Sequence, residues 1–170
     1  PKYARMTIAA TQKLKKFMYY ISKSVPVKIN FSDMARDLEL NRDELPKYLE
    51  YLEKAELVSV LRMKANGDAI LRKMDKLYLQ NSNISYVLSG ENPDTGNARE
   101  TIFYCWTKQK YDTVESPVSD FEIDGKTFEV GGRNKGKKQI SNLKNAYVVK
   151  DTIEYVFDNQ VPLWMFGFLY

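Results

Sequence analysis

From Thr11 onward, apolar residues recur at Leu14, Phe17, Met18, Ile21 and Val25, with Lys13, Lys15, Lys16 and Lys23 largely on the other faces. That spacing predicts an amphipathic helix, and Pro26 ends it. Asn30 stands where it can cap a second helix, with Phe31, Met34, Ala35 and Leu38 facing inward. Asn41 and Glu44 have the spacing of a capping box, and Pro46 places the start of a third helix near Asp43. Its apolar stripe is Leu45, Tyr48, Leu49, Leu52 and Ala55. Two β-rich segments come next at 58–63 and 76–79, joined by a polar turn at 65–68. Three helices and then a two-stranded ribbon is the order of a winged helix-turn-helix.

The second half has a different rhythm. Residues 81–89 read as a short helix, and 90–96 are dense in turn formers. Asn97 can cap a helix running to about Gln109, with Ile102, Cys105 and Trp106 on its inner stripe. Strands are expected at 111–115, 119–123 and 127–130, a short helix at 137–143, and strands at 145–150 and 154–157. An apolar ending, Val161 to Tyr170, closes the chain. The expected class is α+β, with a winged-helix module at 1–80 and a small α/β domain at 81–170. No repeat and no low-complexity segment interrupts the pattern.

Composition narrows the chemistry. The chain has 170 residues, one cysteine, no histidine and a net charge of +4. A chain that begins with Pro reads as a piece of a longer protein. No apolar run is long enough to span a bilayer, which removes a membrane partner. A single thiol, Cys105, excludes an intrachain disulfide and a cysteine-rich zinc cluster, and its apolar setting suggests burial. A reduced, cytoplasmic setting fits. Without histidine there is no Ser-His-Asp triad or Cys-His pair. Chemistry must then run on carboxylates, lysines, hydroxyls or a bound metal.

Three motifs bear on function. The third helix, from Arg42 to Glu56, carries three cations against five acids, a net of −2, which opposes docking on phosphates. Gly125-Lys126-Thr127 ends like a phosphate-binding loop. Position 120 is Asp where that loop needs glycine, and strand comes after it where the loop needs helix. The chain therefore has no ATP site of its own. The third motif is acidic. Glu100 lies on a helix, Asp120 begins a strand and Glu129 ends its neighbour, with Arg133, Lys135, Lys137, Lys138 and Lys144 close behind. Asp120 and Glu129 could hold Mg²⁺ or Mn²⁺ beside a basic segment that meets a phosphate backbone. The same residues also read as an ordinary solvent-facing hairpin.

Residues 14–57, Arg99-Glu100-Thr101-Ile102-Phe103-Tyr104-Cys105-Trp106, Phe128-Glu129-Val130-Gly131-Gly132, Lys138-Gln139-Ile140 and the ending 161–170 together resemble a known family. It is the C-terminal part of prokaryotic AAA-type P-loop ATPases of unknown function. The resemblance implies an ATPase domain upstream, through which alone ATP would be used. It also implies a winged helix followed by a restriction-endonuclease-like, PD-(D/E)xK, domain. Active members of that fold use a helix Glu, a strand Asp and a Glu-x-Lys on the next strand. Glu100, Asp120 and Glu129 match the first three by position. The lysine does not match, because Gly131 stands there. Lys135 or Lys137 could replace it from beyond the glycines. Gln139 would face the same site, or else a solvated helix face.

The expected function is a non-catalytic accessory module that binds nucleic acid or a protein partner and couples it to the ATPase domain. The alternatives are a metal-dependent DNA nuclease with a displaced lysine, and an oligomerisation module built on the apolar C-terminus. The candidate nucleic-acid contacts are Arg133, Lys135, Lys137, Lys138 and Lys144.

Overall fold

The first helix ends because the chain reaches a proline, and several of the helices after it begin where a side chain can satisfy free N–H groups. In the computed structural model, which describes residues 7–62, 75–89, 94–135 and 140–169, helix α1 spans Ile8–Ser24. Thr7 caps it and Val25 ends it. Helix α2 is Phe31–Leu38, and the Asn30 side chain accepts from the backbone N–H groups of Ser32 and Asp33. A 3₁₀ turn at Arg42–Glu44 leads into α3, Leu45–Lys54. The capping box does not form. Asn41 accepts from the Asp43 N–H, but the Glu44 carboxylate pairs with Lys13 at 2.8 Å on α1. Ala55 is exposed, since it is the C-cap of α3 rather than part of its stripe.

The strands β1 (Val27–Lys28), β2 (Val58–Leu61) and β3 (Lys76–Leu79) form an antiparallel sheet in the order β1-β3-β2. The first of them was not expected. The turn between β2 and β3 falls outside the described residues. Phe17, Ile21, Met34, Leu45, Leu52, Val58 and Leu77 belong to the core beneath this sheet. Helix α4 (Asn83–Ser89) packs against α1.

Helix α5 runs Thr95–Thr107 and is capped by Asp94, not Asn97. Its inner face also differs from expectation. Phe103, Tyr104, Thr101 and Thr107 are buried, Ile102 and Cys105 are half-buried, and Trp106 is 36% exposed. The helix is gripped from two sides. The Tyr104 hydroxyl donates to the Val60 carbonyl at 2.9 Å and the Cys105 thiol to Leu79 at 3.2 Å, while Phe103 lies 5.0 Å from Phe121 and 5.5 Å from Phe128. A single amphipathic stripe cannot describe a helix with two partners.

Strands β4 (Val114–Glu115), β5 (Phe121–Ile123), β6 (Lys126–Gly131), β7 (Ala146–Lys150) and β8 (Gln160–Pro162) form a second sheet in chain order. The first three pair antiparallel; β6–β7 and β7–β8 are parallel. The strand expected at 154–157 is absent: Phe157 makes one bridge to Gln160, and the sheet takes Gln160–Pro162 instead. The helix expected at 137–143 is a turn over Ile140–Leu143, and 137–139 lie outside the described residues. The chain closes on a 3₁₀ segment, Leu163–Phe168. Its three-residue period sends Leu163 and Phe166 inward and leaves Trp164 and Phe168 outward, the latter 63% exposed. The architecture is mixed α+β with two sheets. The boundary expected near residue 80 is bridged, because Leu61 and Tyr78 of the first sheet sit in the same core as Phe103, Phe121 and Phe128 of the second half.

The two-sided grip on α5 has a measurable consequence. Phe103→Ala should cost about 3–5 kcal/mol in denaturant unfolding, and Trp106→Ala only ~1–2 kcal/mol, because Phe103 is fully buried and Trp106 is not. Equal costs would refute this assignment of the inner face.

Candidate functional site

The β5–β6 hairpin turns at Asp124 and Gly125, both with positive φ, 49° and 71°. That is the geometry a two-residue hairpin of native twist needs. It sets the register Phe121↔Phe128, which continued by one residue places Asp120 opposite Glu129. The Val130 N–H donates to Asp120 Oδ2 at 2.8 Å and closes the ladder beyond the last strand pair. The Ser119 hydroxyl lies against both the Phe128 carbonyl and Glu129 Oε2 and can donate its one proton to either.

Glu129 is 1% exposed, on the central strand of the second sheet. The chain supplies its counter-charge from the loop after β6. The Lys135 N–H donates to the Gly132 carbonyl at 3.0 Å, which folds the loop back. The Lys135 stem then crosses Gly131 and brings Nζ to 2.5 Å from Glu129 Oε1. This contact is an ion pair by distance without hydrogen-bond angles. A Cβ on residue 131 would lie 2.5 Å from both Cβ and Cγ of Lys135. The lysine therefore occupies the space that a side chain at 131 would fill. The next glycine is close to another cation: a Cβ at 132 would lie 3.1 Å from the Arg99 guanidinium carbon, and Arg99 Nε pairs with Asp151 at 2.6 Å.

Glu100 reaches the cluster from α5 and accepts from the Tyr78 hydroxyl at 3.1 Å. Burial, and then the charge of Asp120, push its pKa up to about 7, against the pull of Tyr78, Lys76 and Lys135. Burial also raises Asp120; the Val130 N–H opposes this and the Glu129 charge adds to it. Burial alone would lower Lys135, but Glu129, Asp120 and Glu100 outweigh it and hold the ammonium above its ordinary range. Lys76 pairs at 3.4 Å with Glu115, a buried carboxylate whose other oxygen has no hydrogen-bond partner among the described residues.

Glu100, Asp120, Glu129 and Lys135 are thus one electrostatic cluster. Arg133 and Lys144 are exposed outside it. Lys137, Lys138 and Gln139 fall outside the described residues. Sequence reasoning missed Tyr78, Lys76 and Ser119. Lys76 and Tyr78 alternate along a strand of the other sheet, and a polar tip on an otherwise apolar strand gives no pattern that points toward a distant helix.

The donor set does not fit a divalent cation as it stands. Among the described residues no group of three or more acidic or cysteine side chains is set to hold one. Lys135 and Ser119 occupy the two Glu129 oxygens, and Val130 occupies one of Asp120. The cations of α3 have partners on the same helix. Lys54 pairs with Glu50 at 2.5 Å, and Lys47 lies 5.8 Å from the centre of the Tyr51 ring.

A family model described as a domain of unknown function (DUF8612) matches residues 2–95, more than half of the chain, and the chain belongs to that family. No curated protein and no solved structure matches it. The matched region includes Lys76 and Tyr78 and stops short of Glu100, Asp120, Glu129 and Lys135.

This geometry has two testable outcomes. Gly131→Ala should destabilise the protein by about 1–3 kcal/mol, since the near end of the Lys135 stem must move; an unchanged denaturation midpoint would show that the stem does not cross there. Glu100 has a folded pKa of about 7 against an ordinary 4.5, so the folded state holds its proton more tightly. Stability is then full below about pH 4.5 and declines as pH rises toward 7, by about 3 kcal/mol, with Asp120 adding in the same direction. Glu100→Gln should flatten most of that decline in denaturant melts taken across the window, and an unaltered profile would reject the assignment.

Proposed function

We propose that this chain is the C-terminal accessory module of a AAA-type ATPase, a winged helix followed by a restriction-endonuclease-like domain whose nuclease site is closed. It binds nucleic acid in the cytoplasm and couples that binding to an ATPase domain upstream. The order of a helix, three antiparallel strands and a crossover to a parallel fourth supports the nuclease-like reading. So do the places of Glu100 on the helix, Asp120 before β5 and Glu129 on β6. No described helix is long and apolar enough to cross a membrane.

The observation that carries the non-catalytic reading is the state of Glu129. It is buried, with the Lys135 ammonium against one carboxylate oxygen and the Ser119 hydroxyl against the other, so its charge is already compensated without a metal. The nucleic-acid surface would then be Arg133 and Lys144, not Lys135. One specific observation favours a second reading, a metal-dependent nuclease. Lys135 lies over Gly131, where the lysine of a Glu-x-Lys motif would stand.

The test uses mixed single- and double-stranded DNA with Mg²⁺ or Mn²⁺, for the wild type, Glu129→Gln and Arg133→Glu/Lys144→Glu. The expected result is retention that falls with salt, is roughly tenfold weaker in the charge-reversed variant, and occurs without cleavage. Cleavage by the wild type and not by Glu129→Gln would establish the nuclease reading instead. DNA that stays free with all three proteins would reject nucleic acid as the partner and point to a protein.

A further inference from the structure

We propose that Lys135 is a built-in counter-cation that takes the place of a divalent metal among Glu100, Asp120 and Glu129. The proposal rests on the nuclease-like reading of residues 81–170 and assigns the reason that site is closed. A carboxylate as buried as Glu129 must be paired or protonated. Among the described residues, three cations lie near the cluster. Lys76 is paired with Glu115 and Arg99 with Asp151, which leaves Lys135 as the one that reaches Glu129. Its Nζ stands 2.5 Å from Oε1. Hard divalent cations sit roughly 2.0–2.6 Å from carboxylate oxygens, so an ion on that oxygen would stand close beside this ammonium, and their like charges repel.

The backbone is shaped for the lysine. Gly131 has no side chain at the one point where the stem must pass, and the Lys135 N–H to Gly132 bond fixes the turn that sends it there. Tyr78 donates to Glu100, and the Ser119 hydroxyl lies within reach of Glu129, so hydroxyls also face these carboxylates. One tethered positive charge and two hydroxyls thus do electrostatically what a bound ion does elsewhere. The Lys135 side chain is 34% exposed and that of Glu129 1%, so the cation, and not the acid, is the part that can leave.

The test measures thermal midpoints of the whole chain with and without millimolar Mn²⁺. Wild type should not respond. Lys135→Met keeps the stem over Gly131 and removes the charge. Its midpoint should fall by about 5 °C or more without metal and recover with Mn²⁺. Lys135→Met/Glu129→Gln should lose the response. If Lys135→Met does not fold alone, refolding yield replaces the midpoint: recovery only with Mn²⁺ supports the proposal, and no recovery in either buffer overturns it. A Mn²⁺ response in wild type as large as in Lys135→Met, or none in Lys135→Met, would also overturn it. A DNA-cleavage assay on the same samples separates the two ideas. An unresponsive, non-cleaving Lys135→Met sinks only this inference, whereas metal-dependent cleavage by the wild type overturns the non-catalytic reading and this inference with it.

Discussion

A carboxylate buried at the centre of a sheet must be given a counter-charge by the residues around it. Glu129 lies on β6, the middle strand of five, and its strand is covered on both sides. Phe128 and Val130 belong to the aromatic core beside α5. Glu129 pairs with Val148 of β7, which clusters with Ile140 and Ala146. Removing an ionised carboxylate from water costs several kcal/mol unless charge and hydrogen bonds are returned to it. That requirement constrains the neighbouring residues. The loop after β6 must double back, residue 131 must lack a side chain, and Ser119 must sit where a hydroxyl can reach Oε2.

The same requirement ties the two halves together. The β2–β3 pair has two working faces. Val58, Val60, Leu77 and Leu79 face the helical core, while Leu61 and Tyr78 enter the aromatic core of the second half. Lys76 and Tyr78 then carry a charge and a hydroxyl toward the acids. Tyr104, Cys105 and Lys108 hold α5 to the same ribbon through Val60, Leu79, Ser59 and Gln80. A displacement of the ribbon by a ligand of the first half would move the Tyr78 hydroxyl from Glu100 and change the balance of the cluster.

Local signals were legible wherever one partner decides the outcome. The α1 stripe, the Asn30 cap and the Asp124-Gly125 turn depend on a few adjacent residues, and each forms as read. The reading failed where two partners compete. Glu44 had the right spacing for a capping box, but Lys13 from another helix took its carboxylate. The apolar run Tyr155-Val156-Phe157 looked like a strand; the edge of the sheet is filled by Gln160–Pro162 instead, and the run is left exposed. For the site, Glu100, Asp120 and Glu129 stand out as acids on adjacent elements, the resemblance matches them to a motif, and Lys135 is one of two lysines that could replace the residue missing at 131. Which lysine would turn inward depends on the loop geometry at Gly132, which no periodicity encodes. Tyr78 was invisible for a different reason, since its hydroxyl serves a helix residue 22 positions away.

The position of a positive charge matters more here than the identity of the residue at one place in a motif. A lysine two residues after Glu129 would project from the same strand, on the same face, with its stem fixed by the sheet. Lys135 arrives from a loop, and its ammonium is steadied mainly by the acids it neutralises. A strand-borne lysine can stand beside a metal because the backbone holds it at a distance. A loop-borne lysine is drawn onto the carboxylate by attraction, and the closer it comes the less room remains for an ion. The glycine at 131 therefore has two effects at once: it removes the side chain expected there, and it opens the path by which another cation reaches Glu129.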